Sequence, residues 1–236
     1  MKKSHIATLI VFLVLIPLTL ILGSRLSGRA FYVTSTLVIV ELLIPFFLAF
    51  EGRRPQAREL VVLAVMCALA VAGRVAIPIP SFKAIFGIIM IAGIAFGPES
   101  GFLVGAISAL ASNFFYSQGP YTPWQMMAYG AGGMLAGFVF AEGRLPRKPV
   151  VMGIFGFLAV AFFVGPLLDT CSVFLVMSRI SLKGAMAFYI SGFPVNLRQA
   201  VATAIVLLVL GKPLLEKLDR IKTKYGILDD EGRKEA

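Results

Sequence analysis

The sequence predicts an all-α integral membrane protein: a six-helix bundle preceded by a two-helix N-terminal extension, about eight transmembrane helices in all. Three observations predict it. Of the 236 residues, 58% are apolar and only 14% charged, against about half and a quarter in a soluble domain. Mean hydropathy is +0.90. The apolar stretches run on for 15–25 residues, the length a membrane helix needs, whereas barrel strands alternate over about ten.

Eight segments follow in order: 6–22, 31–50, 57–77, 82–97, 99–115, 123–141, 150–170 and 186–211. Most reach the roughly 20 residues that cross a bilayer. The fourth does not. About 16 residues at 1.5 Å each give roughly 24 Å, and its entry, "IPIPSFK", carries Pro78 and Pro80, which break regular helix. Such a helix is expected to end against a cavity or loop instead of lipid. The polar, basic linker "EGRRPQARE" at 51–59 sets off the extension. The expected organisation is therefore an extension and linker at 1–56, a core at 57–212 and a basic tail at 213–236. The first apolar run resembles a signal peptide, but it is longer than usual and "SGRAF" is a poor cleavage site, so it reads as an uncleaved helix.

Charge sets the orientation. With the N-terminus inside, inside segments hold Lys2, Lys3, Arg53, Arg54, Arg58, Arg144, Arg147, Lys148 and seven basic residues from Lys212 onward. Outside segments hold only Arg25, Arg29, Lys83, Arg179 and Lys183. The excess on one side places both termini in the cytoplasm of a multi-pass plasma-membrane protein. The net charge of +10 is spread between apolar runs, without a patch or an aromatic-interleaved stripe. It reads as topology signal and contact with anionic lipid, not nucleic-acid binding.

Catalytic equipment is missing. The chain has no G-x-x-x-x-G-K-[ST], no G-x-S-x-G and no H-E-x-x-H. Its single His5 is terminal, Cys67 and Cys171 lack a C-x-x-C partner, and no metal or cofactor is expected.

Intramembrane ionisable residues are costly and so stand out. Glu41 and Arg198 lie at similar depth and are expected either to form a structural pair or to serve function. Arg74 is either a snorkelling arginine or a ligand contact. Asp169 either caps a helix end or pairs with Arg74. On the predicted topology the outer layer collects Arg74, Lys83, Asn113, Tyr116, Gln118, Tyr121, Trp124, Gln125, Asp169 and Asn196. Rings and neutral hydrogen-bonding groups with few charges suit a bulky, mostly neutral organic ligand. They also suit the aromatic belt of any membrane protein. The carboxamides favour the pocket, since a belt does not need them.

Small residues form two sets. Gly93 and Gly97, Gly101 and Gly105, and Gly133 and Gly137 are spaced to let helices of this chain pack closely. Ala64, Ala68 and Ala72 stack on one face of the third segment, for packing within the chain or against a partner.

Four stretches carry a family resemblance: "VLAVMCALAVAGRVAIPIP" (62–80), "FGIIMIAGIAFGPESGFLVGAISALASNFF" (86–115), "GPYTPWQMMAYGAGGMLAGFVF" (119–140) and "GFPVNLRQAVATAIVLLVLGKPLLEKLDRIKTKYG" (192–226). Over about 57–224 the chain resembles the substrate-binding membrane subunits, or S components, of energy-coupling factor (ECF) vitamin transporters. The "FGPESGFLVG" turn and "QGPYTPWQM" loop are its most specific parts. The resemblance implies a six-helix bundle that binds a vitamin at its outer face and does no catalysis. It implies a transmembrane scaffold subunit and two cytoplasmic ATPases as partners, in keeping with the absent P-loop. It also implies that an Ala-x-x-x-Ala stripe, here Ala64 and Ala68, meets the scaffold, and that the subunit topples in the bilayer to carry its ligand inward. The chain is most similar to cobalamin-type S components, which makes cobalamin the expected cargo, with riboflavin or a modified nucleobase as alternatives. A polytopic enzyme or a ligand-free structural subunit would be the reading from another class. The two extra helices, and Glu41 with them, depart from the family pattern.

Overall fold

The computed structural model describes residues 30–52, 56–177 and 181–227, with short pieces at 14–15 and 18–19. The first apolar segment, the question of its cleavage, Arg25, Arg29, Arg53, Arg54, Arg179 and the end of the tail lie outside the described residues. What is described is helical throughout, without a strand. Helix α1 spans Ala30–Gly52, α2 Ala57–Val75, α3 Ile85–Phe96, α4 Pro98–Tyr116 and α5 Thr122–Phe140. Among the described residues, helices α6 (Pro149–Val176) and α7 (Leu182–Tyr225) are the two long and apolar enough to cross a bilayer by themselves. Each contains one π-helical turn, at Val160–Val164 and Leu207–Gly211.

Helix α3 explains its own shortness. Every one of its residues is buried, so it is solvated by protein, and bilayer thickness does not set its length. It ends at Gly97, whose φ of 94° belongs to the left-handed side that glycine tolerates. Pro98 then opens α4 at its first position, where the missing N–H costs nothing. The chain thus reverses in one residue, and α3, α4 and α5 lie side by side.

The glycines make that contact close. A Cβ on Gly93 would stand 2.1 Å from the carbonyl oxygen of Gly133. One on Gly133 would stand 2.3 Å from that of Gly101, and one on Gly105 2.4 Å from that of Tyr129. Backbone meets backbone at all three. Gly93, Gly101, Gly105, Gly133 and Gly137 thus pack within the chain as expected, whereas a Cβ on Gly97 would meet nothing and that glycine serves the turn.

The alanines do the opposite. Ala64, Ala68 and Ala72 are exposed, beside a parallel row of exposed Val61, Val65 and Leu69. Helix α2 turns Leu63, Met66, Cys67 and Ala70 inward instead.

At one end of the bundle the basic segments gather. Arg147 donates to the Ile94 carbonyl (3.1 Å) and Lys222 to the Ala95 carbonyl (2.7 Å). Two cations therefore cap the last carbonyls of α3, where the helix dipole is negative. Arg147 also pairs with Asp219 at 3.4 Å, and Arg58 donates to the Tyr225 carbonyl at 3.4 Å. The start of the basic tail is helix, because α7 runs on through Lys212 to Tyr225 and buries Leu215 and Leu218 against the core.

The expected Glu41–Arg198 pair does not form. Glu41 accepts a hydrogen bond from Thr19 at 2.5 Å. Arg198 is exposed and donates to the Pro194 carbonyl at 3.3 Å. The physical reason is azimuth: α1 packs on α4, α5 and α6, so equal depth does not bring the two charges together.

Candidate functional site

Opposite the basic end, the C-termini of α2 and α4 meet the start of α5. Arg74 sits in the last turn of α2. Its Nη1 donates to Ser112 Oγ and to Asn113 Oδ1, the latter at 2.9 Å. Its guanidinium lies 4.9 Å from the ring centre of Tyr116 and 5.6 Å from that of Tyr129. Tyr116 returns the contact, its hydroxyl donating to the Arg74 carbonyl at 3.0 Å. Lys83 donates to the Ile77 carbonyl and stands 6.0 Å above the same Tyr116 ring. The tyrosine ring attracts both cations without neutralising them.

Asn113 is the hub. It is fully buried, and its Nδ2 donates to Thr122 Oγ1 (3.1 Å) and Gln125 Oε1 (2.9 Å). With Oδ1 holding Arg74, it ties α2, α4 and α5 together. Replacing it with alanine would take a hydrogen bond from buried Thr122 and half-buried Gln125 on α5 and from half-buried Arg74 on α2. Asn113→Ala is therefore expected to cost about 1–3 kcal/mol of stability, read as a lower melting temperature of the purified protein.

The α4–α5 loop is a folded turn held by its own side chains. Thr122 Oγ1 accepts from the Gly119 amide (3.2 Å) and donates to Gln118 Oε1 (2.9 Å). Gln118 Nε2 donates back to the Leu110 carbonyl (2.9 Å) in the last turns of α4. Tyr121 donates to the Ser117 carbonyl (2.7 Å), and its ring lies over Gly119, where a Cβ would stand 2.6 Å away. Ser81 and Ser117, in the two loops flanking Tyr116, have φ of 59° and 78°. Positive φ is uncommon outside glycine and costs backbone strain, which concentrates at functional segments.

The expected residues thus divide. Arg74, Lys83, Asn113, Tyr116, Gln118, Tyr121 and Gln125 form one connected group. Asp169 and Asn196 form another, bonded to each other at 2.7 Å between α6 and α7. Arg74 and Asp169 each have other partners and do not pair with one another. Gly192 lets those helices approach, since a Cβ there would stand 2.2 Å from Asp169 Oδ1. Trp124 belongs to neither group. It is buried and stacked on Phe174 at 5.4 Å.

Sequence reasoning missed Ser112, Thr122 and Tyr129. A helical signal existed for two of them: Thr122, Gln125 and Tyr129 recur at three- and four-residue spacing on one face of α5.

The geometry is an aromatic and cationic cradle at the end of a helical bundle, with a chain-internal carboxamide network beneath it. A family model described as "ECF-type riboflavin transporter, S component" matches residues 55–216. The chain belongs to this family. It is accordingly a substrate-binding subunit of a membrane transporter and not a catalyst, and S components of ECF transporters work with a scaffold subunit and ATPases. No curated protein and no solved structure matches the chain.

Proposed function

We propose that this S component captures a vitamin at the aromatic end of its bundle, facing outward, and delivers it inward with a transmembrane scaffold and two cytoplasmic ATPases. Eight crossings, an extension at 1–56, a core at 57–212 and a tail at 213–236 complete the reading, with both termini cytoplasmic. The excess of basic residues at the other end supports this orientation.

One observation carries the proposal. Tyr116 is 44% exposed, yet its ring is held by Arg74 and flanked by Lys83. An exposed ring fixed in place is a ready stacking platform. Its order is established before the ligand arrives, so binding spends little conformational entropy. Gln118 and Tyr121, on the loop beside it, supply hydrogen-bonding edges, while Asn113 and Gln125 hold the platform from below. A flat heteroaromatic vitamin such as riboflavin suits these groups, and the family description supports that cargo.

Cobalamin is the second reading. It is favoured by the breadth of polar and aromatic groups across the aromatic end, from Arg74 on α2 to Trp124, Asp169 and Asn196 on α5–α7. A much larger ligand would use both groups.

Titrating the purified full-length protein separates the two. Riboflavin is expected to bind without ATP, with its fluorescence quenched on the tyrosine platform, and Tyr116→Ala is expected to weaken it at least tenfold. Binding of cobalamin with indifference to riboflavin would reverse the order of the two readings.

The proposed scaffold contact is the face of α2 bearing Ala64, Ala68 and Ala72. It supports close approach of another helix, and the described residues leave it exposed.

A further inference from the structure

Helix α1 lies outside the stretch 55–216 that the family model matches, yet it is seated on the core by one face. Thr36, Ile39 and Leu43 recur at three- and four-residue spacing and lie on that face. Thr36 Oγ1 donates to the Pro120 carbonyl of the α4–α5 loop at 3.5 Å. Ile39 is buried with Trp124 and Cys171. Leu43 is buried with Phe102 and Ala106 of α4. Leu37, Val40 and Ile44, on the other side of the helix, stay exposed.

Trp124 is the sensitive point of this contact. Its indole is buried, and its N–H has no hydrogen-bond partner. No polar contact fixes the ring, so packing alone sets its position, with Phe174 on one side and Ile39 among its close neighbours. Trp124 is also adjacent to Gln125, which accepts from Asn113 beneath the tyrosine platform. A shift of the indole therefore moves the first turn of α5, and with it the loop.

We propose that α1 is a positioning helix for the α4–α5 loop, with Ile39 acting through Trp124 and Thr36 through Pro120, so that the extension sets ligand affinity without touching the ligand. This rests on the vitamin-capture reading above. Helix α1 packs on α4, α5 and α6 and leaves the alanine face of α2 open, so the effect is confined to ligand binding.

The test uses the full-length protein and its single tryptophan, which makes emission a private report on Trp124. Ile39→Ala is compared with the conservative Ile39→Val and with Val40→Ala on the exposed face. Each is titrated with riboflavin and with cobalamin, quenched with acrylamide, and assayed for assembly with the scaffold. Ile39→Ala is expected to raise Trp124 quenching and weaken binding at least fivefold, with assembly unchanged. Ile39→Val and Val40→Ala are expected to match the unaltered chain. Raised quenching with unmoved affinity would reduce α1 to packing and overturn the proposal, as would a parallel loss of assembly. If the unaltered chain binds neither vitamin, the cargo reading fails by itself. Loop placement is then read from quenching alone, and unchanged quenching in Ile39→Ala overturns it.

Discussion

Gly133→Leu is expected to abolish the folded core. At this position α3, α4 and α5 meet backbone to backbone, and even a Cβ would stand 2.3 Å from the Gly101 carbonyl oxygen and 2.7 Å from its carbon. Adding methylenes to an ordinary core costs about 1–3 kcal/mol, because neighbouring side chains can shift. Here the two nearest neighbours are main chain, and relief requires separating whole helices. Separation would also disturb the hydrogen bonds of Asn113, which join α4 to α2 and α5. The cost therefore exceeds that range. The measurement is the yield of monodisperse protein after extraction: Gly133→Ala should be reduced and Gly133→Leu should be lost to aggregation. Leucine tolerated at 133 with a normal melting temperature would contradict the packing described.

Ala68→Trp is expected to do the reverse, leaving the fold and ligand binding intact while removing assembly with the scaffold. Ala68 points away from the core, between exposed Ala64 and Ala72, so a large side chain there displaces none of the described residues. Against a partner helix it would hold the backbones apart. Lipid-embedded helices associate through close contact, without hydrophobic expulsion to compensate. A loss of at least tenfold in co-purification corresponds to about 1.4 kcal/mol of interface free energy. Loss of vitamin binding with assembly preserved would place the stripe in intrachain packing instead.

These two variants mark what the sequence made legible. Both small-residue sets were visible as spacing, but spacing alone does not say which face a helix turns inward. The glycines are resolved by the single-residue turn at Gly97, which forces α3 and α4 together. The alanines are resolved only by Met66, Cys67 and Ala70 claiming the core side of α2. Glu41 and Arg198 illustrate the same limit: depth follows from counting along a helix, whereas azimuth depends on the neighbours.

At the site, the residue types were legible and their bonding was not. Arg74, Asn113, Tyr116, Gln118 and Gln125 were all recognisable as polar or aromatic groups at one membrane depth. The carboxamides of Asn113 and Gln125 turn out to serve each other and Arg74, while that of Gln118 bonds Thr122 and the Leu110 carbonyl and stays exposed beside Tyr116. Thr122 was overlooked because a threonine opening a helix ordinarily reads as local turn chemistry, and here it also accepts from Asn113. Lys222 and Arg147 were read as topology signals. They also cap the buried end of α3, a role invisible until that helix is seen to lack lipid contact.

The central claim is that this subunit binds a vitamin by itself but moves it only with partners. The most direct measurement is uptake of labelled riboflavin, with labelled cobalamin in parallel, by cells lacking their own importers. The chain is expressed alone, then with its scaffold and ATPases, and then with ATPases unable to hydrolyse ATP. The account predicts cell-surface binding in all three and accumulation only in the second. Accumulation by the chain alone, or undiminished accumulation with inactive ATPases, would contradict it.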